Sequence, residues 1–259
     1  MIPIKSPSEI EKMRAAGDLA SRVLNEVADL IAPGITTGEL DRHAGKLIAA
    51  AGAKSAFFGY RKFPGQLCIS LNEEVVHGIG GPRKINYGDI VTLDCGVNLN
   101  GWIGDTAVTV PVGIIAPEVE NLLRVTEESL NGALKFATAG RRLGDLCNYI
   151  ETEVVRNGYS VVREFVGHGV GRKLHEEPQI PNYGTAGRGP RLVEGMALAI
   201  EPMVNAGKPA VKVLQDGWTA VTKDKGLSAH FEHTVVVTED GCRVLTLPPD
   251  AAFEDCATA

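Results

Sequence analysis

One succession of hydrophobic periods occurs twice along the chain, and that repetition limits the fold more than any single segment does. Ile10, Met13, Gly17, Ala20, Leu24, Val27 and Ile31 recur at helical spacing behind a Ser-x-x-Glu box at Ser8, until Pro33-Gly34 stops the run. Thr36-Thr37-Gly38-Glu39 opens a second helix, which carries Leu40, Ala44, Leu47 and Ile48 and ends near Gly52. Strand-like runs follow around 67–71, 90–97 and 102–110. The order then returns: helices over about 117–137 and 143–156, and strand-like runs around 160–166, 196–201, 210–214 and 231–238. Two helices followed by strands, twice over, predict a duplicated α+β unit whose halves meet at a shared cleft.

Two carboxylates stand inside that pattern where a strand is apolar. Asp94 lies in Val-Thr-Leu-Asp-Cys-Gly-Val, Asp105 in Trp-Ile-Gly-Asp-Thr-Ala-Val, and Asn98-Leu99-Asn100-Gly101 separates them as a turn. With Leu99 and Asn100 at the tip, the two aspartates face each other directly. Like charges so placed repel, and a cation between them resolves the conflict; two solvated carboxylates on an exposed face are the alternative.

The 259 residues, 44% hydrophobic and 22% charged, suffice for one full core, expected over 1–247. Residues 248–259 combine Pro, small and acidic types without an apolar period and are expected to be a disordered tail. A net charge of −6 argues against a broad basic surface for nucleic acid, and no run reaches the length of a membrane span. The cysteines at 68, 95, 147, 242 and 256 form no CxxC pair, and no apolar leader opens the chain, which points to a reducing, cytoplasmic location without structural disulfides.

Three further clusters carry chemistry. His168 is framed by glycines in Val-Gly-His-Gly-Val-Gly, Glu201 ends the apolar run Ala-Leu-Ala-Ile-Glu-Pro, and Glu232 sits in His-Phe-Glu-His-Thr before Val235-Val236-Val237. Taken singly, each reads as readily as a loop or strand-end residue. Together, four carboxylates and one imidazole fit a pair of divalent cations, with hard oxygens and one nitrogen suited to Co, Mn, Fe or Zn.

These segments resemble the type I methionine aminopeptidases, of the pita-bread metallopeptidase fold. The resemblance spans roughly 5–247 and rests on Asn72-Glu-Glu-Val-Val-His-Gly78, Leu93-Asp-Cys-Gly96, Gly104-Asp-Thr106, Gly167-His-Gly-Val-Gly171, His175-Glu-Glu-Pro178, Ile200-Glu-Pro202 and Phe231-Glu-His-Thr234, in the family's order. It implies a pseudo-twofold fold around a curved antiparallel sheet, and removal of the initiator methionine from nascent chains and peptides with a small second residue. Carried over position by position, Asp94 would bind one metal, His168 and Glu201 the other, and Asp105 and Glu232 would bridge, with a hydroxide held between the ions. Glu201 would shuttle the proton, His175 stabilise the oxyanion and His77 contact the substrate amide. The methionine slot would lie near Tyr60, Phe63, Cys68, His77 and Trp218. The resemblance also favours a monomer, working at the ribosome without binding nucleic acid or membrane by itself.

Four positions depart from the family pattern. His230 stands where glutamine is usual and is expected to share a strand face with Glu232; Gly80-Gly81 replace a proline and a polar residue; Phe57 and Leu174 differ in size or aromaticity. His233, next to a ligand, is expected on the opposite face, and His43 reads as structural. Three other readings remain at this stage: a proline-directed exopeptidase resembling prolidase or aminopeptidase P, a non-catalytic ribosome or RNA binder, and a binding module in which the duplication is structural only.

Overall fold

The computed structural model describes residues 2–247, so the expected tail over 248–259 lies outside the described residues. Four helices, α1 (Pro7–Ala28), α2 (Thr37–Ala50), α3 (Pro117–Leu134) and α4 (Leu143–Arg156), back a nine-stranded sheet. Its strands are β1 (Lys54–Ser55), β2 (Cys68–Leu71), β3 (Ile90–Leu99), β4 (Trp102–Pro111), β5 (Gly167–Gly169), β6 (Glu176–Ile180), β7 (Ala197–Ile200), β8 (Glu232–Val237) and β9 (Cys242–Val244). They run in the order β1-β3-β4-β8-β7-β5-β6, with β2 on β3 and β9 on β8, every pairing antiparallel. The antiparallel sheet curves as a half-barrel with the helices flanking it, the pita-bread arrangement.

The duplication is visible in the core. Leu19 and Val23 of α1 with Leu40 and Ile48 of α2 bury Leu93 and Val97 of β3. Leu122 and Leu130 of α3 with Ile150 of α4 bury Leu198, Ile200 and Val235 of β7 and β8. Each helix pair thus covers one half of the sheet, and the seam between halves is the β4–β8 pairing, Glu232 opposite Ala107 and His233 opposite Thr106.

Helix α1 starts earlier than its sequence suggests. The cap is Ser6, not Ser8: Pro7 takes the first helical position, where a missing N–H costs nothing, and Ser6 N–H donates to Glu9 Oε2 at 2.9 Å. The α1–β4 crossing is a backbone-to-backbone contact between glycines, since a Cβ on Gly104 would lie 2.4 Å from the Gly17 nitrogen. The expected strand over 160–166 shortens to Ser160–Val161, which joins a separate three-stranded sheet with Met203–Asn205 and Ser228–His230.

The aspartates of β3 and β4 are not directly opposed. Asn100 and Gly101, at φ 54 and 81, both take the left-handed conformation that a two-residue hairpin turn matched to strand twist requires. They form the tip in place of Leu99-Asn100, and Leu99 pairs with Trp102. That register sets Gly96 opposite Asp105 and Asp94 opposite Ala107, so the carboxylates are diagonal neighbours on one face of the sheet. The repulsion inferred from sequence survives the correction, because the diagonal still brings them to one site.

Candidate metal centre

Five strands deliver five donors to one spot on the concave face. Asp94 comes from β3, Asp105 from β4, His168 from β5, Glu232 from the start of β8, and Glu201 follows the last residue of β7. Ligand atoms of Asp105, His168 and Glu232 all lie within 4.8 Å of one another. His168 Nε2 is 3.8 Å from Asp105 Oδ2 and 3.5 Å from Glu201 Oε1. Its other nitrogen, Nδ1, lies 2.9 Å from the Gly169 carbonyl, which makes Nδ1 the donor and leaves the Nε2 lone pair facing the carboxylates.

Hydroxyl groups across the β4–β8 seam hold the ligand-bearing backbones. Asp105 N–H donates to Thr234 Oγ1 at 3.2 Å, Thr234 Oγ1 donates to the Asp105 carbonyl at 2.8 Å, and Thr106 Oγ1 donates to the Glu232 carbonyl at 2.8 Å. Sequence reading named neither threonine as part of the site. The alternation of β8 is the available signal, since it sends Thr234 to the same face as Glu232.

The electrostatics are those of a site built for cations. Burial, then Asp105, holds the Asp94 carboxyl well above the usual carboxylate range; burial pushes Asp105 up to about 7. Glu201 and Glu232 are raised in the same way, by burial and then by Asp105. His168 is lowered to about 3 by burial and by His175, so it is a neutral nitrogen. Asp94 Oδ1, Asp105 Oδ1 and Glu232 Oε1 are buried with no hydrogen-bond partner among the described residues. Orphaned oxygens at this density are costly unless something else binds them, and one nitrogen with several hard oxygens is a donor set for two divalent ions.

Above the carboxylates lies a cavity of about 300 Å³. Phe63, Cys68, His77 and Trp218 are among its lining, Phe63 meeting Trp218 edge to face at 5.1 Å between centroids. The rings of His77 and Trp218 are 6.0 Å apart, and Phe165, which sequence reading missed, packs edge-on to His77 at 5.3 Å. Phe57 and Leu174 are also in the lining. Tyr60 has a second task beyond apolar lining: its hydroxyl is 2.9 Å from His175 Nδ1. The His175 ring in turn stands 4.3 Å from the His168 ring, so the two expected functions of His168 and His175 share one wall.

The departures resolve physically. Gly81 ties its loop to the start of α2, the Gly81 carbonyl accepting from Gly38 N–H at 2.8 Å and Gly81 N–H donating to Thr37 Oγ1 at 2.9 Å. His233 turns away from the carboxylates to Thr246 Oγ1, 3.0 Å from its Nδ1. His230 does not share the Glu232 strand: it ends Ser228–His230 of the separate three-stranded sheet, opposite Met203, where it is buried with no hydrogen-bond partner for either ring nitrogen among the described residues and its Nε2 3.8 Å from Glu201 Oε2.

Comparison with known proteins matches this geometry. The model of metallopeptidase family M24 matches residues 11–239. The methionine aminopeptidase of Clostridium perfringens is 51% identical over 247 residues, covering 95% of this chain and 99% of its own. The crystal structure of methionine aminopeptidase from Thermotoga maritima superposes with a TM-score of 0.93 at 48% identity, over 95% of this chain and 99% of that one. The prolidase from Pyrococcus furiosus is more distant, with a TM-score of 0.78 at 25% identity, and only 65% of its chain is covered. The carboxylate-lined cleft, the matched family model and the near-complete overlap with its relatives together place the chain in metallopeptidase family M24, among the type I methionine aminopeptidases.

Proposed function

We infer that this chain removes the N-terminal methionine from peptides and nascent proteins whose second residue is small. The observation that carries the reading is one cavity with an apolar, aromatic wall and a floor of buried unpartnered carboxylate oxygens. Asp94 would hold one divalent ion, His168 and Glu201 the other, with Asp105 and Glu232 shared by both. Such a pair polarises a carbonyl and lowers the pKa of a water.

The remaining work falls to side chains. Phe63, Cys68 and Trp218 take the unbranched thioether by apolar burial and ring-edge contact, worth about 0.3–1.5 kcal/mol per sulfur–aromatic pair. The Tyr60 hydroxyl is 2.9 Å from His175 Nδ1; with the hydroxyl as the hydrogen-bond donor, His175 keeps its hydrogen on Nε2 and serves as a neutral donor to the scissile carbonyl oxygen as charge develops there. Burial, then Arg61, keeps this histidine below its usual pKa, in line with that neutral form. Glu201, 3.5 Å from His168 and inside the carboxylate cluster, accepts the proton of the attacking water and returns it to the leaving amine. His77, packed edge-on to Phe165 in the same lining, contacts the substrate amide. On this reading the enzyme meets its substrates as a monomer at the ribosome in the cytoplasm, an assignment that rests on the family resemblance.

Steady-state hydrolysis of Met-Ala-Ser against Ala-Pro-Ala, with metal added to stripped protein, tests the reading. Asp105→Asn and Glu232→Gln should each lower turnover of Met-Ala-Ser by at least ~100-fold, since each removes a charge both ions share. Near-normal turnover in either variant after verified metal loading refutes the two-ion assignment, and a preference for Ala-Pro-Ala favours the proline-directed alternative.

A further inference from the structure

A second, open groove adjoins the catalytic cavity, and its charges are incompletely matched. It measures about 580 Å³ and shares Arg61, Val166, His168 and His175 with the first, so the two spaces join at the His175 wall. Only one part of a substrate can lie there. The first residue enters the apolar cavity beside Phe63 and Trp218, and the chain beyond the scissile bond must leave through the mouth. At roughly 3.3–3.6 Å per extended residue, the third and fourth residues of a substrate leaving along this groove would lie within it.

The groove's cations are Arg61 and Lys173, and its anions are Glu176 and Glu177. Glu176 is already engaged: Lys5 Nζ lies 2.5 Å from its Oε2, and the backbone N–H groups of Arg172 and Lys173 donate to its Oε1 at 2.9 and 3.2 Å. Arg61 and Lys173 have no carboxylate partner among the described residues, which leaves two exposed cations against the single exposed Glu177. Glu164 adds one carboxylate on the cavity side of the mouth.

Arg61 is also held in place in an uncommon way. Its backbone is left-handed, at φ 47 and ψ 29, within the turn Tyr60–Lys62, and Lys62 follows at φ 73. Gly59 N–H to the Phe63 carbonyl at 2.9 Å and Phe63 N–H to the Tyr60 carbonyl at 2.8 Å close that turn. A residue of this type in that conformation marks segments whose geometry the surroundings impose, and these cluster at ligand-binding sites. The guanidinium sits 5.5 Å from the Tyr60 ring, on the residue that holds His175.

We propose that Arg61, with Lys173, forms a carboxylate-binding subsite for the third or fourth residue of the substrate, so that this enzyme favours acidic chains downstream of the cleaved bond. The subsite rests on the aminopeptidase reading above, because it needs the peptide to run from the apolar cavity outward. The same group would accept the terminal carboxylate of a tripeptide, and the substrates below separate the two sources.

The test is kcat/KM for Met-Ala-Asp-Gly-amide, Met-Ala-Gly-Asp-amide, Met-Ala-Lys-Gly-amide and Met-Ala-Ser as free acid or amide, at about 50 mM and 500 mM salt. Wild type should favour the better aspartyl peptide over the lysyl one by about three- to fivefold at low salt, mostly through KM and less so at high salt, as for a partly exposed ion pair. The ratio should fall towards one in Arg61→Gln and invert in Arg61→Glu, both exposed substitutions. If only the free acid of Met-Ala-Ser outruns its amide, the group reads a chain terminus and not a side chain, and the preference for acidic chains is refuted. Equal rates on all amides, or a ratio unmoved in both Arg61 variants, overturn the subsite while leaving the aminopeptidase reading intact. Failure of every methionyl peptide overturns both.

Discussion

Titrating a divalent cation into the stripped protein should release protons, and the amount follows from the carboxylate cluster. Asp105 is pushed up to about 7 by burial, so at pH 7 it carries on average about half a proton that an arriving ion must displace. Asp94, Glu201 and Glu232 are raised in the same direction and add to that release, whereas His168, lowered to about 3, is already neutral and adds none. Protons and metal therefore compete, and affinity climbs with pH. Each full proton displaced makes the apparent affinity tenfold tighter per pH unit, about 1.4 kcal/mol. The share from Asp105 shrinks as pH rises above about 7 and grows as pH falls below it. Calorimetric titration of Mn²⁺ at pH 6, 7 and 8, each in two buffers of different ionisation enthalpy, counts the protons directly. Release should be largest at pH 6 and smaller in Asp105→Asn. No buffer dependence at pH 6, or affinity that weakens as pH rises, refutes the view of these carboxyls as protonated in the empty site. By the same linkage, the stability that Asp105 lends the stripped fold is complete below its ordinary value of 3.8 and is lost as pH rises through about 7.

Removing the imidazole in His175→Ala should lower turnover by on the order of 10²–10³ with metal content unchanged, as expected for a lost oxyanion donor; parallel loss of metal by elemental analysis would make it a ligand instead. His230→Gln should keep metal stoichiometry and most of the rate, because a 3.8 Å approach to Glu201 suits a group that supports the carboxylate; a 10-fold or larger drop in metal affinity would contradict this. Gly104→Ala should cost about 1–3 kcal/mol, since its new Cβ meets the backbone of α1, and thermal unfolding should start roughly 3–10 °C lower. An unchanged melting temperature would mean that α1 and β4 separate without cost.

Most of the site was legible because its residues break a local rule. A carboxylate in an apolar strand costs free energy unless it is partnered, and Asp94, Asp105, Glu201 and Glu232 all show that conflict in one dimension. The register of β3 on β4 was misread because Asn98-Leu99-Asn100-Gly101 offers more than one two-residue tip; the left-handed demand at both positions selects Asn100-Gly101. The start of α1 was misplaced for a similar reason, two serines competing until Pro7 decides. Tyr60, Thr106, Thr234 and Phe165 act through partners far away in sequence, and no local pattern announces a contact such as that between Tyr60 and His175. The role proposed for Arg61 is equally hidden in the sequence, since it depends on how two spaces join in three dimensions.

The division of the donors between the two halves governs when the protein can become active during its own synthesis. Asp94 and Asp105 leave the ribosome well before Glu232, and the contact from Thr106 to the Glu232 carbonyl closes a loop of 126 residues. Long-range pairing of this kind forms late, after loop-closure entropy is met. A chain that stops before Glu232 therefore lacks at least one of the five donors. Severing the connection between Pro111 and Pro117 would leave one fragment with two donors and another with three, neither a full set. Peptidase activity is in this sense a certificate of completion, issued only when the last long strand has docked.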